Sequence, residues 1–337
     1  MTQDFPFERC SDPLYRSVPL PFETRIAVLG IPTTFRSNAQ RVVDLVDEAL
    51  GQWRGSECYV GPESQDEVTI RLIVQDVPYE DDGRSAIIYR MPDAHRLLLT
   101  ARGAVGISDA DRRDAVLYVA PALVHDREHF RYGFMESLTL FIISFLDRLP
   151  LHAAAVARDG AALLLAGRAG VGKSTLTYAA LRAGIPVMAE DIVWASLQPR
   201  LRVWGITTTV HLPRDADQFF PELTGAAGTI VASGEEKTVM EVPTDARPDR
   251  PVADSARVCL LERNNGPDCM LQRASPEEVM QFFARNLETG FDMFDPAVRS
   301  QVASQVAAPG GWKLGLGTDL SQAVRLLEEA LHAMAAG

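Results

Sequence analysis

Residues 163–176 read Leu-Leu-Leu-Ala-Gly-Arg-Ala-Gly-Val-Gly-Lys-Ser-Thr-Leu, and within them Gly167, Gly172, Lys173 and Ser174 hold the spacing G-x-x-x-x-G-K-S. An apolar run precedes the glycines and a helical pattern follows, so strand, loop and helix must succeed one another here. A loop that wraps an anion turns successive backbone N–H groups inward. Gly167, Gly170 and Gly172 permit the backbone angles and close approach this takes, with Ala169 and Val171 completing the loop. Lys173 then supplies a positive charge to the β- and γ-phosphates, and Ser174 supplies a hydroxyl to Mg²⁺. The helix that opens there, with Thr175 in its first turn, points its positive end at the anion. The plain alternative is a glycine-rich turn with an exposed lysine. The pattern itself implies a P-loop in an α/β core that grips the phosphates of ATP or GTP.

Bulk properties narrow the class. A chain of 337 residues, 47% hydrophobic and 23% charged, can bury a sizeable core and has the length of two domains, or of one large domain with an appendage. The formal net charge of −12, with no dense Lys/Arg cluster, argues against a nucleic-acid partner, because phosphate contacts need a basic face. Cys10, Cys58, Cys259 and Cys269 are scattered without C-x-x-C spacing, so they support neither a zinc knuckle nor a disulfide framework. They read as reduced cytosolic thiols. The N-terminal MTQDFPFERC carries acids and no apolar h-region, and the apolar stretch Leu138–Leu146 is too short to span a bilayer. The expectation is a cytoplasmic protein with no membrane partner.

Periodicity predicts two domains, 1–149 and 150–337. The first reads as a small α+β domain, with strands at Arg25–Leu29, Val68–Val74, Ala86–Tyr89 and Ala115–Val119 and a helix over Ala39–Trp53. Val42, Val43, Leu45, Val46 and Leu50 make that helix's apolar side, while Gly61, Pro62, Pro78, Asp81, Asp82 and Gly83 punctuate the rest. No catalytic constellation shows there. His129–Leu149 predicts one long apolar helix packed between the two parts, stopped by Pro150, near which the boundary falls. From Leu151 the pattern becomes strand (His152–Ala157), turn (Arg158-Asp159-Gly160), strand (Ala161–Ala166), glycine loop, helix (Lys173–Ala183), Gly184 as cap and strand (Pro186–Ala189). Leu201–Trp204, Thr207–Leu212, Val239–Val242 and Ala256–Leu261 read as further strands. Ser275–Asn286 and Asp319–Ala335 read as helices, the last with Leu320, Val324, Leu327 and Leu331 as core positions.

Phosphoryl transfer needs a carboxylate to hold the metal and often another near the attacking hydroxyl, and the glycine loop contains none. Glu190 and Asp191 answer that need. They end the apolar strand that follows the loop's helix, and the carboxyl ends of neighbouring strands in such sheets converge on the ligand. Two acids ending a buried strand are costly without a cation nearby. His152 is open to two readings, a hydrogen-bonded core histidine or a functional one.

Leu151-His152-Ala153, Gly160, the run Gly-Arg-Ala-Gly-Val-Gly-Lys-Ser-Thr-Leu, Gly184 and Ala189-Glu190-Asp191 together resemble the catalytic domain of bacterial HPr kinase/phosphorylase. The chain looks still more like HPr-kinase-related P-loop kinases, some of which modify peptide precursors. The similarity is specific over residues 151–193 and looser to about residue 335; residues 1–150 resemble no family. The resemblance implies an α/β, phosphoenolpyruvate-carboxykinase-like P-loop catalytic domain behind a smaller α+β N-terminal domain. It implies ATP and Mg²⁺ as ligands and a serine hydroxyl as acceptor. It makes Glu190 the base that takes the acceptor's proton, Asp191 a metal ligand beside Ser174, and His152 the residue that orients or polarises the catalytic acid. Here the first acid is glutamate, one methylene longer than the family's aspartate, which bears on near-attack geometry. The family's phosphorylase signature is absent where this chain reads Arg202-Val203-Trp204-Gly205-Ile206-Thr207. A one-way kinase is the expectation.

The transferring phosphoryl group also needs positive charge, for which Lys237, Arg214 and Arg263 are candidates. Lys237 follows the glycine-containing loop Gly225–Gly234, a segment suited to closing on nucleotide. The leading reading is a serine kinase acting on a peptide or small protein, with residues 1–149 assisting recognition. Kinase action on a small molecule and a nucleotide-dependent binding module are the competing ones. A GTPase is disfavoured by the lack of an Asn-Lys-x-Asp guanine-reading motif. The family tends to assemble, so a homo-oligomer is expected too, with the His129–Leu149 helix serving as interface or as domain seam.

Overall fold

Period-two burial organises most of the chain into sheets. The structure is a computed structural model that describes residues 6–7, 12, 17–54, 67–77, 86–197, 200–230, 235–264, 266–285 and 296–335. Cys10, Cys58, the turn residues Gly61, Pro62, Pro78, Asp81, Asp82 and Gly83, residues 231–234 of the glycine-containing loop and Asn286 lie outside the described residues. The chain forms two units, Met1–Leu146 and Asp147–Gly337.

The first unit is built on a seven-stranded sheet in the order β1-β2-β3-β7-β6-β5-β4. β1 (Phe22–Val28) and β2 (Ile31–Ser37) form a hairpin whose Leu29-Gly30 turn has positive φ at both positions. β3 (Val68–Val74) lies parallel between β2 and β7 (Asp114–Val119). β4 (Ile88–Asp93), β5 (Arg96–Ala101) and β6 (Ala104–Asp109) extend the sheet as an antiparallel meander. α1 (Gln40–Leu50) lies within the predicted span and passes into a 3₁₀ turn at Gly51–Trp53. It buries Val42, Val43, Leu45, Val46 and Leu50 as expected. β2, β5 and β6 were not predicted, and β4 starts two residues later than Ala86.

The long helix predicted over His129–Leu149 forms from His129 to Ser144, beginning in π-helical geometry and ending five residues early. After α2 (Pro121–His125) the chain makes a π-helical stretch at His129–Glu136, then α3 over Ser137–Ser144, and stops. Asp147 takes a left-handed φ of 54°, which an α-helix does not continue through, and its carboxylate accepts from Ser196 Oγ at 2.7 Å. Pro150 therefore stops no helix. It sits inside β8 (Leu149–His152), an edge strand where its missing N–H is tolerated.

The second unit centres on a six-stranded sheet, β11-β9-β10-β18-β20-β19. Its strands are β9 (Ala154–Arg158), β10 (Ala161–Ala166), β11 (Val187–Ala189), β18 (Ser255–Arg263), β19 (Met270–Ala274) and β20 (Gly311–Leu316). β10, β18 and β20 run parallel. A four-stranded sheet, β17-β13-β12-β8, adds β12 (Ile192–Ser196), β13 (Arg202–Gly205) and β17 (Val252–Ala253). A three-stranded sheet holds β14 (Thr209–Pro213), β15 (Thr229–Ile230) and β16 (Glu236–Glu241). The predicted strand His152–Ala157 is two strands. His152 ends β8 in one sheet, Ala153 is the buried crossover, and β9 begins the other.

β10 is buried on both faces, which explains its unbroken apolar run. Leu163 and Leu165 pack on one face with Leu176, Ala179 and Ala180 of α4 (Lys173–Arg182) and Ala323, Leu327 and Leu331 of α7 (Leu320–Ala335). Ala162 and Leu164 face Val193, Ala195 and Val203 of the four-stranded sheet, and Val279 and Val302 of α5 (Pro276–Arg285) and α6 (Pro296–Ala307). Each such leucine removed from water is worth about 1.5–3 kcal/mol. α7 buries Val324, Leu327 and Leu331 as its period predicted. β12, β19, β20 and α6 were not predicted. Among the described residues no helix is long and apolar enough to cross a membrane.

Candidate functional site

The glycine loop spans residues 167–172 between β10 and α4. Its glycines answer two different demands. Gly170 and Gly172 hold φ of +75° and +115°, angles that L side chains rarely adopt. Gly167 is required by space, since a β-carbon there would stand 2.7 Å from Val171 Cγ1 and 3.2 Å from the Leu261 carbonyl oxygen. Ala169 and Gly170 are exposed at the loop's crest, and Val171 is buried beneath it, its N–H bonded back to Arg168 O at 3.2 Å. Lys173 is buried, and its ammonium crosses the loop to donate to the Gly167 carbonyl at 2.9 Å. Ser174 and Thr175 follow in the first turn of α4, half-buried.

The acidic pair stands on the same edge of the sheet as the loop. β10 and β11 are both antiparallel to β9 and therefore point the same way, so Gly167 and Glu190 leave the sheet at one end. The two strands are not neighbours, as the sequence reading assumed; β9 lies between them. The contact is made instead through α4, whose first turn carries Ser174. Ser174 Oγ donates to Glu190 Oε1 at 2.6 Å, and the other carboxylate oxygen, Oε2, lies 3.3 Å from His211 Nδ1. Glu190 is largely buried, its side chain 13% exposed.

Asp191 turns elsewhere. Its side chain is 58% exposed and its Oδ1 lies 3.4 Å from Nδ1 of His152, which is 17% exposed. That separation is an ion-pair distance when the imidazole is charged and is long for a direct hydrogen bond. The structure thus joins Ser174 with Glu190 and His152 with Asp191.

His211 was not among the expected site residues. It occupies the middle of β14, between the buried core residues Val210 and Leu212, and alternation turns it the opposite way from them. A polar imidazole between two core-facing residues was the one signal available. The segment Arg202–Thr207, where the phosphorylase signature would lie, braces β11. Thr207 Oγ1 donates to the Met188 carbonyl at 2.8 Å, and Arg202 Nε is bound at 2.9 Å to Asp254.

The three candidate cations separate cleanly. Arg263 ends β18, the parallel neighbour of β10, and its Nη2 lies 3.8 Å from where a β-carbon of Gly172 would sit. Arg214 is committed to the Ala226 carbonyl at 2.7 Å and to Thr238 Oγ1 at 3.3 Å, and Lys237 to Glu235 at 3.4 Å.

Among the described residues no cluster of three or more His, Cys, Asp or Glu side chains could cage a metal ion by itself. Mg²⁺ does not require one. It keeps several waters and binds through one or two protein oxygens plus substrate phosphates, and the adjacent Ser174 hydroxyl and Glu190 carboxylate form a donor set of that kind. The residues fit the ion.

No family model and no curated protein sequence matches this chain. Among solved structures it is similar to the HPr(Ser) kinase/phosphatase from Coxiella burnetii, at 12% identity and a TM-score of 0.29, over 56% of this chain and 97% of that one. A likeness of that size assigns neither a fold nor an activity to this chain.

Proposed function

We propose that the second unit is an ATP- and Mg²⁺-dependent phosphotransferase that moves the γ-phosphoryl group to a serine hydroxyl of a peptide or small protein. Residues 1–149 assist recognition of that substrate, and the setting is the cytoplasm. The observation that carries this reading is the 2.6 Å contact between Ser174, in the first turn after the glycine loop, and a carboxylate from a different strand. A mere structural turn has no need of a buried lysine, a serine and two acids gathered on one sheet edge.

In this reading the loop's backbone N–H groups and the N-terminus of α4 bind the phosphates. Lys173 leaves the Gly167 carbonyl to meet them, a short movement for a four-carbon stem. Ser174 and a carboxylate of the acidic pair would hold Mg²⁺, which when bound would supply neutralising charge to the phosphates. The acceptor oxygen bonds to the γ-phosphorus as the bond to the bridging oxygen breaks; ADP leaves, and a carboxylate of the acidic pair takes the hydroxyl proton. Arg263, beside Gly172, supplies further positive charge to the transferring group. The missing phosphorylase signature makes the transfer one-way.

The test is transfer of labelled γ-phosphate from Mg-ATP to polypeptides of a cell extract, by the full chain and by Lys173→Ala. An acid-stable labelled band that disappears with Lys173→Ala is the expected result and identifies the acceptor. ATP binding that needs Lys173 without any labelled polypeptide overturns the peptide-kinase reading and turns the search to metabolite hydroxyls. Partner binding that needs ATP but no turnover makes the unit a binding module.

A further inference from the structure

We infer that Arg200, Arg202 and Arg250 form an anion site, remote from the glycine loop, that takes a phosphate group, free or as a monoester.

Three guanidinium groups of the second unit converge there on one carboxylate. Asp254 Oδ1 lies 2.9 Å from Arg202 Nε and 3.1 Å from Arg200 Nη2, and its Oδ2 lies 3.5 Å from Arg250 Nη1. The backbone N–H of Asp254 donates to the Gly160 carbonyl at 2.9 Å, which ties the cluster to the turn before β10. A carboxylate has about four lone-pair sites and each guanidinium about five N–H donors, so donors outnumber acceptors several-fold. The surplus is visible atom by atom. Among the described residues, Arg202 Nη1 and Arg250 Nε are shielded from solvent and have no hydrogen-bond partner.

Charge points the same way. Three positive charges against one negative leave an excess of two, in a chain whose formal net charge is −12. A fourth arginine stands close by. Arg148 is buried, with its guanidinium 4.3 Å over the ring of Trp204, and Trp204 shares a face of β13 with Arg202. Burial pushes the Arg148 guanidinium down to about 10; Asp147 opposes that shift and the charge of Arg202 adds to it. Like charges shielded from water repel, and a bound anion relieves both the repulsion and the unmet donors.

A phosphate dianion matches the excess of two, and its oxygens accept the forked N–H pairs that arginine presents. The cluster has a floor and an open rim. Arg202 is 15% exposed at the side chain, Arg200 60% and Arg250 40%. Gly160 precedes β10 and Gly167 follows it, and the six residues of that strand, at about 3.3 Å each, set the two ends about 20 Å apart. The site is therefore separate from the loop that grips nucleotide in the reading above.

The test is calorimetric titration of the full chain at constant ionic strength, with inorganic phosphate in one arm and O-phosphoserine in the other. Each arm is run on Lys173→Ala, which lacks the glycine loop's cation, and on the same chain carrying Arg200→Gln or Arg250→Gln. Lys173→Ala is expected to bind one phosphate, and each arginine substitution to weaken that binding at least tenfold with an unchanged circular dichroism spectrum. Tighter binding of O-phosphoserine identifies a monoester as the ligand, and tighter binding of inorganic phosphate the free ion. Urea unfolding supplies a second readout. In chloride alone Arg250→Gln should be at least as stable as the parent, and phosphate should raise the parent's midpoint while leaving that of Arg250→Gln where it was. Phosphate binding that disappears with Lys173→Ala, or that neither arginine substitution alters, overturns the inference. So does an Arg250→Gln chain less stable than the parent in chloride with no response of either to phosphate, the behaviour of a purely structural ion-pair network.

Discussion

Gly205 lies against the carbonyl of Met188 so closely that a β-carbon on residue 205 would collide with that oxygen, and Thr207 donates to the same oxygen at 2.8 Å. Met188 precedes Glu190 by two residues, so this contact between β13 and β11 sets where the acidic pair leaves the sheet. Gly205→Ala is expected to destabilise the second unit by about 1–3 kcal/mol and to weaken Mg-ATP binding, both read by denaturant unfolding and calorimetry. Gly51→Ala is the control. Its φ is −60° and nothing lies within 4 Å of its added carbon, so it is expected to be neutral or to stabilise by up to about 1 kcal/mol.

His211 holds the second oxygen of Glu190, and its role is therefore one of positioning. His211→Ala is expected to raise several-fold the Mg²⁺ concentration needed for half-maximal transfer, with the rate at saturating Mg²⁺ changed far less. Asn presents a nitrogen near the place of Nδ1, so His211→Asn should recover much of the loss. An equal fall in rate at all Mg²⁺ concentrations would count against positioning.

Arg263 alone of the three candidate cations stands beside the glycine loop. Arg263→Ala is expected to lower transfer by tenfold or more with little change in thermal stability, since its side chain is exposed. Arg214→Ala should do the reverse. It leaves the Ala226 carbonyl without its donor and costs about 1 kcal/mol of stability. Paired rate and melting measurements on the two variants decide between them.

At the start of α5, Ser275 and Glu278 cap one another: the Ser275 N–H donates to Glu278 Oε2 at 2.9 Å and the Glu278 N–H to Ser275 Oγ at 3.3 Å. This reciprocal pair satisfies donors that the first helical turn leaves open. Glu278 also meets Lys313 of β20 at 3.1 Å. Ser275→Ala is expected to cost about 0.5–2 kcal/mol, measured by urea unfolding. Thr at 275 should restore most of it.

Burial pushes the Cys259 thiol up from 9.0 to about 12. In the unfolded chain this thiol ionises above about pH 9, whereas in the folded sheet it stays protonated. The folded state therefore binds the proton more tightly, and stability falls as pH rises from about 9 towards about 12, with no contribution below. The slope from this one group approaches about 1.4 kcal/mol per pH unit. Unfolding free energies of the parent and Cys259→Ala between pH 8 and pH 10.5 should diverge by that slope. Parallel curves would show that the thiol is not linked to folding.

Short-range chemistry explains what could be read in the chain. The turn at Asp159-Gly160 has positive φ at both residues, the backbone that this dipeptide favours, and Gly184 caps α4 with φ of +79°. β10 matches its predicted span because a buried apolar run leaves little choice, and β3 because its apolar residues alternate with Thr69 and Arg71. The misses have long-range causes. α3 ends at Ser144, and three residues later Asp147, with a left-handed φ, accepts from Ser196, 49 residues away, a partner that no local pattern marks. His152 and Ala154 belong to different sheets although nothing between them punctuates the sequence.

The glycine spacing, Lys173, Ser174 and the two acids at 190 and 191 follow from sequence because each is a local demand, an angle, a charge or a strand end. Which acid meets Ser174, which faces His152, that His211 joins them and that Arg263 stands beside the loop were decided by tertiary structure alone. Those are distances between side chains carried by α4, β8, β14, β18 and the end of β11, a helix and strands of three sheets, set by how those elements pack, quantities that no local pattern contains.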